Sequence, residues 1–296
     1  MDLEELRAFL AVAETGSFLT AAKSLRLSRA TLRRRIDQLE ARAGVLLVDR
    51  TRTGAALTEA GSVLMARGRL MVQEASALLE SVREAGAEPS GTLRVQLPVG
   101  LPPHVLTPLT SFVRKKYPRL AIRLSFSDDP AGGLLENVDL AAHFGDKSPI
   151  GPWVSREVLR LRVWMIASAE YLARRGTPRT VAELTQHELL AWECPGGDGR
   201  SWPLRGGGTF PVTPVITARH IHLIRQYAIA GLGIALVPDA LLPDPGVVEG
   251  ALVPVLPELV GSEVALRVVI PAALSEIPRI KALLELLKPF LGEIGL

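Results

Sequence analysis

Proline is confined almost wholly to one part of this 296-residue chain: Pro89 is the first of 22, and the other 21 lie beyond residue 91. Proline fixes φ and removes a backbone N–H, so it interrupts helices. The first ninety residues are therefore free to run as long helices, whereas the remainder must be made of shorter elements. A boundary falls at Glu88-Pro89-Ser90-Gly91. With 48% hydrophobic and 22% charged residues, a chain of this length can bury one large core or two to three smaller ones, which excludes a disordered or fibrous protein.

Helical spacing organises the first part. Leu3, Leu6, Phe9, Leu10 and Ala13 recur on one face and end at Gly16, a natural C-cap. Ser17 suits the N-cap of a short second helix carrying Phe18, Ala21, Ala22 and Leu25, and Ser28 caps a third after only two or three turn residues. Two helices on so short a turn form a helix-turn-helix. Stepping about 100° per residue along the third helix brings Leu32, Ile36, Leu39 and Ala43 to one side, while Ala30, Arg34 and Asp37 point outward with Arg33 and Arg35 on the flanks. Gly44 stops this helix. Val45 to Val48, a turn through Gly54, and Ala56-Leu57 then read as a two-stranded wing with Arg50 and Arg52 at its tip.

Charge singles out the same region. Between Lys23 and Arg52 stand nine cations and three anions, although the whole chain carries a formal charge of only +3. A local excess of this kind on an outward helical face fits double-stranded DNA, whose backbone rewards clustered cations.

From Thr58 a further helix begins. Gly61, Leu64, Gly68, Met71, Ala75, Leu78 and Val82 step alternately by three and four, a heptad seam. Such a seam has little to pack on within its own chain, so a partner helix from a second subunit is expected. The alternative is that the helix lies along the C-terminal part.

Beyond Gly91 short apolar strands alternate with amphipathic helices: 92–97, helix 103–116, 120–126, helix 131–136, 138–144. This βαβαβ run implies a parallel sheet with helices on its faces. Similar alternation continues from Val163 to Pro238, and a strand at Val264–Ile270 precedes a last helix at Pro278–Leu291.

Other functions find little support. An enzyme would need a nucleophile elbow, a P-loop or clustered metal ligands, and Gly231-Leu232-Gly233 lacks both the third glycine and the preceding strand of a dinucleotide site. His220 and His222 without a nearby thiolate or carboxylate make a poor metal site, so no metal and no cofactor are expected. Cys194 is the single cysteine; it permits no internal disulfide and has no resolving partner for redox sensing. A solute-binding protein would need an export signal and would have no use for Arg33 to Arg35. No stretch approaches the roughly 18 apolar residues of a membrane span, and the acidic opening MDLEELRAF is unlike a signal peptide, so a cytoplasmic protein is expected.

The order and spacing of several segments then resemble the LysR-type transcriptional regulators. In the first part these are Phe9 to Ala13, Gly16-Ser17-Phe18-Leu19-Thr20-Ala21-Ala22 with Leu25, Leu27-Ser28, Leu39-Glu40, Gly44-Val45-Leu46-Leu47 leading to Arg50, and Leu57-Thr58-Glu59-Ala60-Gly61. Ser127-Asp128, Val138 to Ala141, and Ala230 to Ala235 with Pro238 are similar to the family's effector domain. Arg29 and Arg33 depart from it, standing where glutamine and a small hydroxyl residue are usual, and Val48 replaces a phenylalanine. Base preference is therefore not carried over.

The resemblance implies a multi-domain α+β protein: a winged helix-turn-helix over 1–58, a dimerising linker helix over 59–90, and a two-lobed α/β effector domain, like a periplasmic binding protein, over 91–296. Its first lobe would take about 91–160 plus 264–296 and its second about 161–263, with ligand in the crevice between them. Candidate DNA contacts are Ser28, Arg29, Ala30, Thr31, Arg33, Arg34 and Arg35 on the third helix, with Arg33 or Arg34 reading a base and Arg50 and Arg52 on phosphates. Candidate effector neighbours are Val99, Gly100, Leu101, Ser127, Asp128, His143, Trp192, Cys194, Arg219 and His220. The absence of a hydroxyl in the 99–101 loop suggests an effector with an apolar or aromatic part, and Arg219 with His220 suggests that it carries a carboxylate. Homodimers or homotetramers, and action on RNA polymerase, are also implied.

Overall fold

The computed structural model describes residues 2–51, 54–84, 88–101, 103–129, 138–146, 153–194, 197–238 and 251–293. It divides into two compact units, Met1–Ala85 and Gly86–Leu296.

The first unit contains α1 (Leu3–Thr15), α2 (Phe18–Ser24), α3 (Arg29–Ala43), β1 (Val48–Thr51), β2 (Gly54–Leu57) and α4 (Glu59–Glu84). Asp2 and Glu5 form a capping box at the start of α1, and Gly16 ends it in the left-handed region at φ 62. Ser17 and Ser28 cap α2 and α3 by accepting the N–H groups of Thr20 and Thr31. The tight turn between these helices bends at Arg26, whose φ is 54. Leu6, Phe9, Leu32 and Ile36 lie together in the core, each stabilising it by about 1.5–3 kcal/mol.

Ala43, expected on the inward face of α3, is exposed, and Glu40 is buried beside that end. The Glu40 carboxylate accepts the N–H groups of Leu47 at 2.7 Å and Val48 at 3.1 Å, which satisfies a buried charge and anchors the wing. Those bonds also explain why β1 begins at Val48 rather than Val45.

The heptad seam divides in two. Gly61 and Gly68 are buried in the unit's own core: a Cβ on Gly61 would run into the Leu47 carbonyl oxygen, and one on Gly68 would lie 2.7 Å from Leu6 Cδ1. Met71, Leu78 and Val82 are exposed. The expectation that the seam has little to pack on within its own chain is thus corrected for its first half, where small residues admit the wing and α1.

The second unit contains β3 (Gly91–Pro98), α5 (Pro103–Lys116), β4 (Leu120–Ser127), β5 (Leu140–Phe144), β6 (Trp153–Ser168), α6 (Ala169–Arg175), β7 (Leu189–Trp192), β8 (Ser201–Pro203), β9 (Thr209–Pro211), β10 (Ile216–Ala218), α7 (Ile221–Ile229), β11 (Ile234–Pro238), β12 (Leu252–Val255), β13 (Ser262–Pro271) and α8 (Pro278–Glu293). The helix expected at 131–136 lies outside the described residues. The main sheet runs β10-β7-β11-β6-β13-β5-β3-β4, with β12 also on β6, while β8 and β9 form a separate hairpin.

This sheet is mixed rather than purely parallel. β3, β4 and β5 are mutually parallel, as are β7, β10 and β11. The two sets are joined by the antiparallel pair β6 and β13, whose register runs from Ser262 opposite Val163 to Pro271 opposite Trp153. The latter part of β6 then pairs with β11 and β12. On this stretch Met165 and Ile166 enter separate cores on opposite faces, as strand alternation requires. Among the described residues no helix is long and apolar enough to cross a membrane.

Candidate functional site

Two surfaces collect the residues singled out by sequence. The first is the outward side of α3. Leu32, Ile36 and Leu39 are buried beneath it, which leaves Ser28, Arg29, Ala30, Arg33 and Arg34 exposed and Thr31 half-buried. Ser28 Oγ lies 3.0 Å from the Thr31 N–H and 2.8 Å from Thr31 Oγ1, so these two side chains order the helix start.

The arginines differ in what holds them. Arg35 turns toward α1 and pairs with Glu4 at 2.9 Å, tying the two helices together. Arg42 likewise pairs with the buried Glu5 at 3.2 Å. Arg33 lies 4.0 Å from Asp37 one turn on. Among the described residues Arg29 and Arg34 form no ion pair, so their guanidiniums face solvent without a competing carboxylate. Arg52 lies outside the described residues, and of Arg50 only the backbone, in β1, is described.

The second surface is a cleft of about 980 Å3 in the C-terminal unit. It brings together Val99, Asp128, Trp192, Cys194 and Arg219 from the sequence reading, with Phe144 and Glu193 among their neighbours. Trp192 and Phe144 end strands β7 and β5, and Val99, Asp128, Glu193 and Arg219 each follow directly on the end of a strand. The β7–β10 parallel pair sets Trp192 beside Ala218, and the Trp192 indole N–H donates to the Arg219 carbonyl at 3.1 Å. The Phe144 ring meets Trp192 edge to face at 5.4 Å, a favoured aromatic geometry.

Charge in the cleft is predominantly negative. Among the described residues, Asp128, Asp129, Glu193 and Asp198 line it, with Arg219 the one lining cation. Arg219, expected to hold a carboxylate of the ligand, has its guanidinium 3.3 Å from Glu193 and 3.4 Å from Asp128. Hydrogen bonds to Glu193 and then Asp128 raise its pKa above the usual arginine value. Burial pushes the Cys194 thiol up, which keeps it protonated at neutral pH and weakly nucleophilic.

Five other residues read from sequence lie beside this cleft rather than along it. Gly100 and Leu101 border a separate apolar cavity; Gly100 stands at φ 95, and a Cβ there would also meet the Ile221 N at 2.6 Å. Ser127 Oγ accepts the Asp129 N–H at 3.1 Å. His220 caps α7 through Nδ1, which accepts the Leu223 N–H at 3.1 Å. His143 is buried, with Nδ1 3.1 Å from the Phe144 carbonyl. Strand alternation explains the exchange: successive side chains of β5 point to opposite faces, so the cleft receives Phe144 and not His143. The period-2 pattern held that information, whereas polarity pointed to the neighbouring residue. Asp198 gave no sequence signal, because a loop carboxylate has no periodicity.

The chain matches the profile described as "Bacterial regulatory helix-turn-helix protein, lysR family" over residues 3–62 and that of the "LysR substrate binding domain" over 86–292. It is 32% identical over 257 residues to the HTH-type transcriptional regulator CrgA of Neisseria meningitidis serogroup C, covering 86% of this chain and 85% of the relative. The HTH-type transcriptional regulator DmlR of Escherichia coli is 28% identical over 260 residues, covering 86% and 84%. The solved structure of the Neisseria protein aligns over all of both chains with a TM-score of 0.61 at 28% identity. A full-length variant of OxyR from Pseudomonas aeruginosa aligns over 98% of this chain and 94% of its own with a TM-score of 0.67; at 16% identity it shows the fold alone.

Proposed function

The chain belongs to the LysR-type transcriptional regulators, and from that premise we propose that Arg34 reads a base of its operator while the cleft binds an aromatic ligand bearing a cationic group. The N-terminal unit is the DNA-binding domain and the C-terminal unit the effector domain. Arg34 is favoured over Arg33 because Asp37 draws the latter away from a duplex. A bidentate arginine on guanine discriminates by about 1–3 kcal/mol.

The observation that carries the ligand class is the cleft's composition: among the described residues, an aromatic wall of Phe144 and Trp192 with four carboxylates and one arginine. An amine there meets favourable charge, whereas a carboxylate would have to displace Asp128 or Glu193 from Arg219. Calorimetric titration of the full-length protein with paired arylalkylamines and arylalkylcarboxylates tests this. Amines should bind and lose about tenfold in affinity with Trp192→Ala, the equivalent of about 1.4 kcal/mol. Binding confined to carboxylates would overturn the charge assignment.

The exposed part of the α4 seam, Met71, Leu78 and Val82, together with Leu79, supports a homodimer, of which two make a tetramer. Such a regulator acts on RNA polymerase in the cytoplasm.

A further inference from the structure

We propose that the C-terminal unit holds a second ligand site, distinct from the charged cleft, for a small uncharged apolar molecule of one or two rings. The site is the cavity of about 180 Å3 between the β3–β4–β5 face of the sheet and helices α5 and α8. Its walls are Val95 and Leu140 from the strands, Leu109 and Val113 from α5, and Leu283 from α8. Of its described lining residues only Thr110, His222 and Arg225 carry polar side chains.

Protein interiors are close-packed, and this hollow, whose walls at Leu101, Leu106 and Leu109 are only half-buried, leaves its apolar lining short of packing contacts. Water is a poor occupant, because a buried water needs two to four polar partners and these walls supply them only near α7 and at Thr110. An apolar cavity of about 150 Å3 is known to take up benzene, which sets the scale of the ligand. A single polar substituent on it would point toward Thr110, His222 and Arg225.

The cavity is also placed to influence the cleft. It touches the joining strands β6 and β13 at Leu161 and Leu266, and it touches α7 at Ile221, two residues beyond Arg219. Phe144 lines both spaces, and its ring supports Trp192. Filling the cavity therefore fixes a wall of the cleft, so the two sites communicate through whichever arrangement each ligand prefers.

Scanning calorimetry of the full-length protein with saturating toluene tests the site. The melting temperature of the wild type should rise. Ala142→Leu, which fills the cavity from β5, should melt higher than wild type without toluene and show no further rise with it. Thr110→Leu adds volume from α5 and provides the same reading should the strand variant fail to fold. Trp192→Ala, at the cleft, should retain the toluene response in full. No shift in the wild type, or a shift abolished by Trp192→Ala and unaffected by the filling variants, would overturn the proposal.

Discussion

The outward face of α3 and the cleft of the C-terminal unit carry opposite charge, and they are assembled in opposite ways. The α3 face comes from one run, residues 28–34, and owes its charge to helical period: apolar residues occupy the buried side and arginines the other. The cleft draws on separated segments at 98–99, 128–129, 144, 192–194, 197–198, 201 and 219, brought together by sheet pairing. A contiguous face depends on what fixes one helix. A cleft built from many segments depends on the ends of several strands.

That difference predicts where the largest mutational effect lies. The α3 face rests on α1 and α2, and Glu40 ties it to the wing that packs on α4 at Gly61, so Gly61→Ala should be severe, because its Cβ meets the Leu47 backbone carbonyl and neither partner can move alone. A loss on the order of 3 kcal/mol is expected, seen as an early melting transition with DNA binding lost. Gly68→Ala meets only the flexible end of Leu6 and gains helix propensity, so it should stay within about 1 kcal/mol of wild type. Equal effects at the two glycines would break the account of the seam.

The exposed half of that seam comes next. Replacing both Leu78 and Val82 by glutamate should weaken dimerisation by at least about a hundredfold, since each buried aliphatic side chain is worth about 1.5–3 kcal/mol. Sedimentation velocity reads this directly. Unchanged association would leave the helix lying along its own chain.

Sequence legibility follows the same division. The ends of α1 and the inward face of α3 were readable because capping and period are local rules, satisfied at Gly16 and at Leu32, Ile36 and Leu39. Glu40 was not readable as a wing anchor, since its partners Leu47 and Val48 are reached only after the chain turns at Gly44. The seam was visible, but the small size of Gly61 and Gly68 carried the message that it packs on its own unit. In the cleft, Trp192 and Arg219 could be named from family layout, whereas the link from Arg219 to Asp128 spans 91 positions and has no periodic signature.

A smaller effect probes reading rather than architecture. Arg34→Ala should weaken an operator by about 10- to 100-fold while reducing affinity for random DNA much less, the signature of a base contact. Arg29→Ala, if its guanidinium grips phosphate, should weaken both DNAs alike and lower the salt slope by about one. Equal losses on both DNAs for Arg34→Ala would move it to the phosphate class.

The smallest effect tests the support beneath the cleft. At the base of β7, the strand that delivers Trp192, the Tyr171 hydroxyl accepts the Glu188 N–H at 3.0 Å and lies 3.2 Å from His187 Nδ1. The hydroxyl's proton is then free to go to a neutral His187. Burial lowers the His187 pKa below its usual 6.5, and the charge of Arg175 lowers it further against the opposing pull of Glu183. An unfolded chain takes up this proton near pH 6.5, whereas the folded chain does so only at a lower pH. Between those values the unfolded state binds more protons, so stability falls as pH drops below about 6.5, and the penalty is complete once the folded value is passed. Above pH 6.5 His187 contributes no pH dependence. His187→Gln should therefore flatten part of the acid limb of the stability profile. The imidazole resonance of His187 should titrate with a midpoint under 6.5, and a midpoint at or above that value would remove the half-buried neutral histidine from the support of β7.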